Sequence, residues 1–374
     1  MMAASRLRLA VVVGARPNFI KLAPIMKATR DYNACAGGGW VDTFLIHTGQ
    51  HYDFQMSRIF FQELAIPEPD VHLAVGSGTH GEQTGRAMIE IEKVLSEYKP
   101  DLVMVLGDVN STLAGALAAA KMQIAVAHVE AGLRSFDRTM PEEINRVLTD
   151  HISELLFCPT ETAVGNLRNE GITKGVYLTG DVMVDALLGW REMAERSDIL
   201  ERLGLVTKQY VVATVHRASN TDDRRNLQNI LDALSAARER VIFPVHPRTR
   251  RAMMEMAVNP PADNVSLVEP LGYLDFLKLL SHARKVVTDS GGLQKEAYIL
   301  GVPCVTLRET TEWPETLESG WNTLVGSNQA RILAALRDSR TAGRSSAAFG
   351  DGKSSVAIVQ ILTTYGLFRP HEEH

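Results

Sequence analysis

Ile124-Ala125-Val126-Ala127-His128-Val129-Glu130-Ala131-Gly132-Leu133-Arg134-Ser135-Phe136-Asp137-Arg138-Thr139-Met140-Pro141-Glu142-Glu143-Ile144-Asn145-Arg146 is the stretch that decides how this chain folds. Its opening run, Ile124 to Val129, is apolar and reads as a strand buried on both faces of a parallel sheet. Acids and arginines then crowd into a loop, and Pro141-Glu142-Glu143 starts a helix, since proline suits the first helical turn and acids suit its positive end. In an open α/β sheet ligands bind outside the carboxyl ends of the strands, so charges set directly after a strand face the site. The plainer reading is a solvated surface loop, where Glu and Arg usually sit.

The same alternation extends in both directions. Apolar runs predict strands at Leu9 to Val13, Thr43 to His47, Leu102 to Leu106 and Leu155 to Cys158, each followed by a helical pattern. Ser111 or Thr112 is expected to cap the Ala-rich helix that ends at Lys121, and Thr160 the helix after Cys158. A second set of strands is predicted at Tyr210 to Val215, Val241 to Val245, Val265 to Val268, Lys285 to Thr288 and Cys304 to Leu307. The fold class is therefore α/β, with two doubly wound Rossmann-like domains facing a cleft. The boundary is placed at Gly180-Asp181, giving domains 1–180 and 181–354, with the C-terminal helix 355–374 packing back on the first. The Ser, Gly and Ala-rich stretch from Thr341 to Lys353 reads as a surface loop.

A chain of 374 residues accommodates two such cores. A net charge of -5 argues against general affinity for nucleic acid or anionic membrane, so phosphate recognition falls to local basic groups and helix N-termini. The three cysteines, Cys35, Cys158 and Cys304, have no CxxC or metal-ligand spacing, and the His residues come singly. No metal and no cofactor are expected, and a reduced, cytoplasmic setting is the simplest reading. The N-terminus lacks a signal-peptide pattern, and no apolar run approaches the ~20 residues of a membrane span.

Chemistry concentrates at predicted strand ends. Gly14-Ala15-Arg16-Pro17 is a strand-to-helix turn suited to an anion, but it is not the GxGxxG fingerprint of a dinucleotide site. Asp289-Ser290-Gly291-Gly292-Leu293-Gln294-Lys295-Glu296 ends a strand and opens a helix; its small residues let a phosphate approach backbone donors, and Glu296, one turn in, can accept from ribose hydroxyls. His216-Arg217 and His246-Pro247-Arg248 follow two other strands. Acids end strands in the first half, at Asp108 and Glu130, and basic groups end them in the second. That division suits acid/base chemistry on one side and a nucleoside diphosphate on the other.

Assembled in order, Gly-Ala-Arg-Pro-Asn-Phe-Ile-Lys, His-Thr-Gly-Gln-His, Gly-Asp-Val-Asn-Ser-Thr, His-Val-Glu-Ala-Gly-Leu-Arg, Pro-Glu-Glu-Ile-Asn-Arg, Val-His-Arg and Asp-Ser-Gly-Gly resemble the motifs of the UDP-N-acetylglucosamine 2-epimerase family, of glycosyltransferase-B fold. The resemblance implies epimerisation at C2 of a UDP-sugar by elimination and re-addition of UDP, with Asp108, Glu130, Glu142 and His216 as catalytic residues. It implies substrate contacts from Arg16, Lys21, Arg146, His246, Phe276, Ser290, Gly291, Gly292 and Glu296, with Phe276 offering uracil a stacking face. It also implies a homodimer. Clustered carboxylates would tune one another's proton affinity. Asn18 stands where the common motif has Glu, and Trp313 where the common N-acetylglucosamine enzymes have Arg. These departures resemble the branch that includes 2-epimerases of UDP-2,3-diacetamido-hexuronic acids. A glycosyltransferase of the same fold and a UDP-sugar sensor without turnover are the other readings.

Overall fold

The computed structural model describes residues 6–35, 41–49, 61–338 and 347–368. Gln50 and His51 of the His-Thr-Gly-Gln-His motif, and most of the loop that starts at Thr341, lie outside them. The chain divides into two compact units: the first ends at Gly189 and takes the chain back from Ala347, and the second begins at Trp190.

In the first unit the described strands are β1 (Leu7–Val13), β2 (Val41–His47), β3 (Val71–His72), β4 (Leu102–Leu106), β5 (Ala125–Val129), β6 (Leu155–Cys158) and β7 (Val176–Leu178). They form a parallel sheet in the order β3-β2-β1-β4-β5-β6-β7. Every residue of β4 and β5 is buried, because helices cover both faces of the sheet and leave no solvent side for polar alternation. Chain order reverses between β1 and β4, the topological switch point at which such sheets bind ligands.

The second unit contains β8 (Tyr210–Thr214), β9 (Arg240–Pro244), β10 (Val265–Val268), β11 (Lys285–Thr288), β12 (Cys304–Thr306) and β13 (Asn322–Leu324). Their order is β10-β9-β8-β11-β12-β13, so this unit's switch point lies between β8 and β11. Two apolar clusters cover its sheet: Leu227, Ile230 and Ile332 pack with Val211 and Val287, and Leu279, Leu280 and Ala297 pack with Val212 and Val286.

Three sequence expectations change. The first unit extends past Gly180-Asp181 into the helix Val182–Glu195, whose Val182, Met183, Ala186 and Leu187 are buried. The Asp181 N–H donates to the Phe349 carbonyl, and the Asp185 carboxylate accepts from Ser354 and Ser355. These contacts draw residues 347–354 into the first unit too, and the helix Ser354–Phe368 packs on the helix Arg16–Cys35. Neither Ser111 nor Thr112 is a cap: the helix Asn110–Lys121 starts after Val109 with no side-chain cap, since the Ser111 hydroxyl bonds that of Thr48 and Thr112 donates to the Leu106 carbonyl. The strands β3, β7 and β13 were not read from the sequence, being two or three residues long.

Candidate active site

The first unit's switch point is assembled from the ends of β1, β4 and β5. Asn18 clips the turn after β1 to the end of β4: its Oδ1 accepts from the Gly14 and Ala15 N–H groups, and its amide donates to the Leu106 carbonyl at 2.8 Å. One turn further along the same helix, Lys21 is buried and ion-paired to Glu130. Gly107 lies beside this pair with φ +65°, and a Cβ there would come within 2.8 Å of the Lys21 ammonium and 3.4 Å of Glu130 Oε2. Only glycine fits a left-handed position so closely approached.

Asp108 follows. Arg146 donates to its Oδ2 from Nε at 2.9 Å and Nη2 at 2.7 Å, while Oδ1 accepts no hydrogen bond among the described residues. The Asp108 backbone carbonyl accepts from Asn145 at 2.9 Å. Arg146 is itself buried, and its Nη1 reaches Glu143 Oε2 at 2.6 Å. Asp108 and Glu130 each meet a cation in the fold. Glu142, half-buried in the first turn of the helix Pro141–Ile152, has no hydrogen-bond partner among the described residues.

Glu143 is the residue the sequence reading passed over. Its buried carboxylate accepts from the Ser135 N–H and hydroxyl and from the Phe136 N–H, pinning the loop to the Arg146–Asp108 pair. Spacing alone did not single it out, because Glu142 and Glu143 stand four and three residues before Arg146 and both separations are neighbours on a helix. Arg16 opens the helix Arg16–Cys35, but its side chain is outside the described residues.

In the second unit the organising group is Asp289, fully buried at the end of β11. It accepts from the His216 and Arg217 N–H groups at 3.0 to 3.1 Å and from the Asn220 amide at 3.0 Å. The loop after β8 is thereby tied to the end of β11. The His216 imidazole stays 40% exposed, with its Nε2 3.8 Å from Asp289 Oδ1, and its ring centroid lies 5.8 Å from that of His246. His246 caps the helix Pro247–Glu255, accepting from the Arg248 N–H at 3.2 Å.

Ser290 caps the helix Gly291–Ile299 and accepts from the Leu293 N–H at 3.4 Å. The Gly291 and Gly292 N–H groups donate to no acceptor among the described residues and stand at the positive helix end, an arrangement that takes anions. The two glycines differ. A Cβ on Gly291 would lie 1.8 Å from Glu312 Oε1, whereas a Cβ on Gly292 meets nothing within 4 Å. Glu296, one turn along, is buried, and Phe276 is half-buried against the apolar cluster of Leu279 and Leu280. Trp313 is buried, with the Lys295 ammonium 4.2 Å from its ring centroid.

Among the described residues no group of three His, Cys, Asp or Glu side chains is placed to hold a metal ion. No helix among them is long and apolar enough to cross a membrane.

Residues 33–363 match the family model described as UDP-N-acetylglucosamine 2-epimerase. The chain is 53% identical over 362 residues to a UDP-N-acetylglucosamine 2-epimerase homolog of Methanococcus maripaludis, covering 95% of this chain and 99% of that one. It is 42% identical to the UDP-2,3-diacetamido-2,3-dideoxy-D-glucuronate 2-epimerase of Pseudomonas aeruginosa, covering 95% and 99%. The crystal structure of the Methanocaldococcus jannaschii UDP-GlcNAc 2-epimerase in complex with UDP-GlcNAc and UDP superposes with a TM-score of 0.88 at 46% identity, covering 96% of this chain and 100% of that one. Two doubly wound units of parallel strands are that fold, of glycosyltransferase-B type, and this chain belongs to the UDP-N-acetylglucosamine 2-epimerase family.

Proposed function

We propose that this protein is a non-hydrolysing 2-epimerase that interconverts UDP-N-acetylglucosamine and UDP-N-acetylmannosamine. The observation that carries the reading is Asp108: Arg146 holds one carboxylate oxygen, and the other is left open at the sheet's switch point. A base takes the C2 proton; the C2–H electrons become the C1=C2 bond of a 2-acetamidoglucal while the C1–O bond breaks and its electrons leave with UDP. UDP then re-adds at C1 as a proton is delivered to the opposite face of C2. Two faces require two proton-transfer groups. Asp108, Glu130 and Glu142 supply the carboxylates, and His216 stands by the leaving diphosphate.

In this reading the Gly291-Gly292 turn holds the diphosphate, Glu296 the ribose and Phe276 the uracil, with Arg16, Lys21 and His246 lending positive charge or hydrogen bonds. No cofactor is needed, because C2 loses one proton and gains another and UDP returns to C1, so the reaction involves no net oxidation or reduction. We further propose a homodimer working in the cytoplasm. Ile144 and Leu148, exposed four residues apart on the helix Pro141–Ile152, suit an apolar contact with a second copy, and the three cysteines are unpaired.

Incubation with UDP-N-acetylglucosamine in deuterated water, followed by NMR at C2, tests the reaction. Deuterium at C2 together with a gluco/manno mixture is expected. Nucleotide binding without exchange would leave a UDP-sugar sensor, and sugar transfer to an added acceptor would make it a glycosyltransferase. The 42% identity to the Pseudomonas enzyme favours UDP-2,3-diacetamido-glucuronate as the second substrate to run in parallel; faster exchange on it would assign the hexuronate reaction instead.

The two glycines give a separate prediction. Gly292→Ala has room in the protein, so its Tm should match the parent, while the added methyl blocks approach to a helix N–H. UDP affinity should fall roughly tenfold, the worth of one hydrogen bond to a charged group. Unchanged affinity by calorimetry would move the diphosphate away from this turn.

A further inference from the structure

Both ring nitrogens of His128 face acceptors. The side chain is fully buried on β5, with Nδ1 2.7 Å from Asp150 Oδ1 and Nε2 2.8 Å from the Gly107 carbonyl oxygen. A neutral imidazole carries one N–H and one lone pair, so either tautomer would set a lone pair against an oxygen at one of these contacts. A proton on Asp150 is the other way to satisfy both, and its surroundings oppose it. Asp150 Oδ2 accepts from Arg134 Nη1 at 2.7 Å and from the Gly132 N–H at 3.1 Å. Burial alone would raise the Asp150 carboxyl, but His128 and Arg134 outweigh it and hold the group below the usual carboxylate range. The remaining neighbours fit. Arg134 pairs bidentately with Glu170 at 2.7 Å, Glu170 lies 3.8 Å from His151, and burial with Asp150 nearby pushes the Cys158 thiol up to about 12, leaving it neutral. Charges alternate along Asp150, Arg134 and Glu170, and a cation at His128 would continue the series, which is how buried ions are tolerated.

We propose that His128 is a positioning residue for epimerisation, a buried imidazolium whose Nε2–H fixes the Gly107 carbonyl and with it the peptide that leads into Asp108. Gly107 is held at its other end by its N–H to the Val129 carbonyl at 3.0 Å, and it touches the Lys21–Glu130 pair. The Gly107–Asp108 peptide, whose carbonyl His128 holds, thus sets the direction in which the chain enters Asp108. Without an Nε2–H the Gly107 carbonyl is left buried without its donor, and the peptide is free to turn. The kinetic part rests on the epimerase reading; the charge of the ring does not.

The test uses full-length protein labelled with 15N-histidine. At pH 8, where an ordinary histidine with pKa about 6.5 is neutral, a long-range 1H–15N spectrum should show both His128 nitrogens protonated, with assignment by loss of the signal in His128→Gln. A single protonated nitrogen overturns the proposal. His128→Gln should lower kcat on the order of 100-fold, the cost of a misplaced catalytic group, with KM little changed; wild-type kcat overturns it. Asp150→Asn gives the second arm should His128→Gln not fold. It removes the anion, so the ring should be neutral at pH 8, and kcat should fall if the remaining proton sits on Nδ1; a ring without an Nε2–H and with unchanged kcat overturns the positioning role. If the wild-type enzyme exchanges no C2 proton on either UDP-sugar, the epimerase reading has failed, and the spectrum still reports the ring's charge.

Discussion

Asp108→Asn is expected to lower turnover by about 10²–10⁴-fold, the usual contribution of a positioned acid or base, while UDP binding stays at the parent value. The amide is isosteric and its oxygen still accepts from Arg146, so the fold around β4 keeps its contacts. What is lost is the open carboxylate oxygen, the one that has a proton to take or give. UDP affinity is spared because the groups assigned to the diphosphate belong to the other unit. Calorimetry with UDP and the rate of C2 deuterium exchange measure the two effects separately. A near-parental exchange rate would remove Asp108 from the chemistry.

Arg146→Met is expected to cost about 3–5 kcal/mol of stability, the penalty for breaking a buried ion pair by removing one partner. Arg146 is 2% exposed and satisfies Asp108 and Glu143 at once. Methionine fills the volume and leaves both carboxylates facing a void of charge. Arg146→Lys should recover only part of the loss, because one ammonium cannot reproduce the guanidinium fork that spans Asp108 Oδ2 and Glu143 Oε2. The midpoint of urea unfolding measures both variants. A shift below about 0.5 kcal/mol for Arg146→Met, the range of an ordinary surface change, would show that the pair stabilises nothing.

Much of the fold was legible because parallel sheets write themselves plainly. The strands β4, β6, β10 and β11 match the runs from which they were read, most plainly β4 and β6, which are apolar and buried throughout because a strand covered on both faces has no reason to admit polar residues. The edge strands β3, β7 and β13 were not legible, because segments of two or three residues are too short to carry a pattern. The site was legible as a set of strand ends. Glu130, Asp108 and the Asp289 turn follow β5, β4 and β11, and that placement alone directs them to the ligand side of each sheet.

Residue roles inside the site were a different matter. Glu142 and Glu143 lie four and three residues before Arg146, so either could reach it along the helix; the fold gives Arg146 to Glu143 and leaves the Glu142 carboxylate without a hydrogen-bond partner among the described residues. Lys21 and Arg146 read as free cations for a substrate; in the fold their charges are engaged by Glu130, Asp108 and Glu143.

The sequence by itself determined the class of fold, the order of the strands that carry chemistry and the family, because periodicity and motif order are properties of the chain. Tertiary structure alone decided which charges meet. His128 lies within the apolar run Ile124 to Val129, and only the approach of Asp150 from a helix and of Gly107 from the neighbouring strand end gives its ring two hydrogen-bond partners. Hydrogen bonds and ion pairs act over a few ångströms between residues tens of positions apart, and no local pattern encodes that distance.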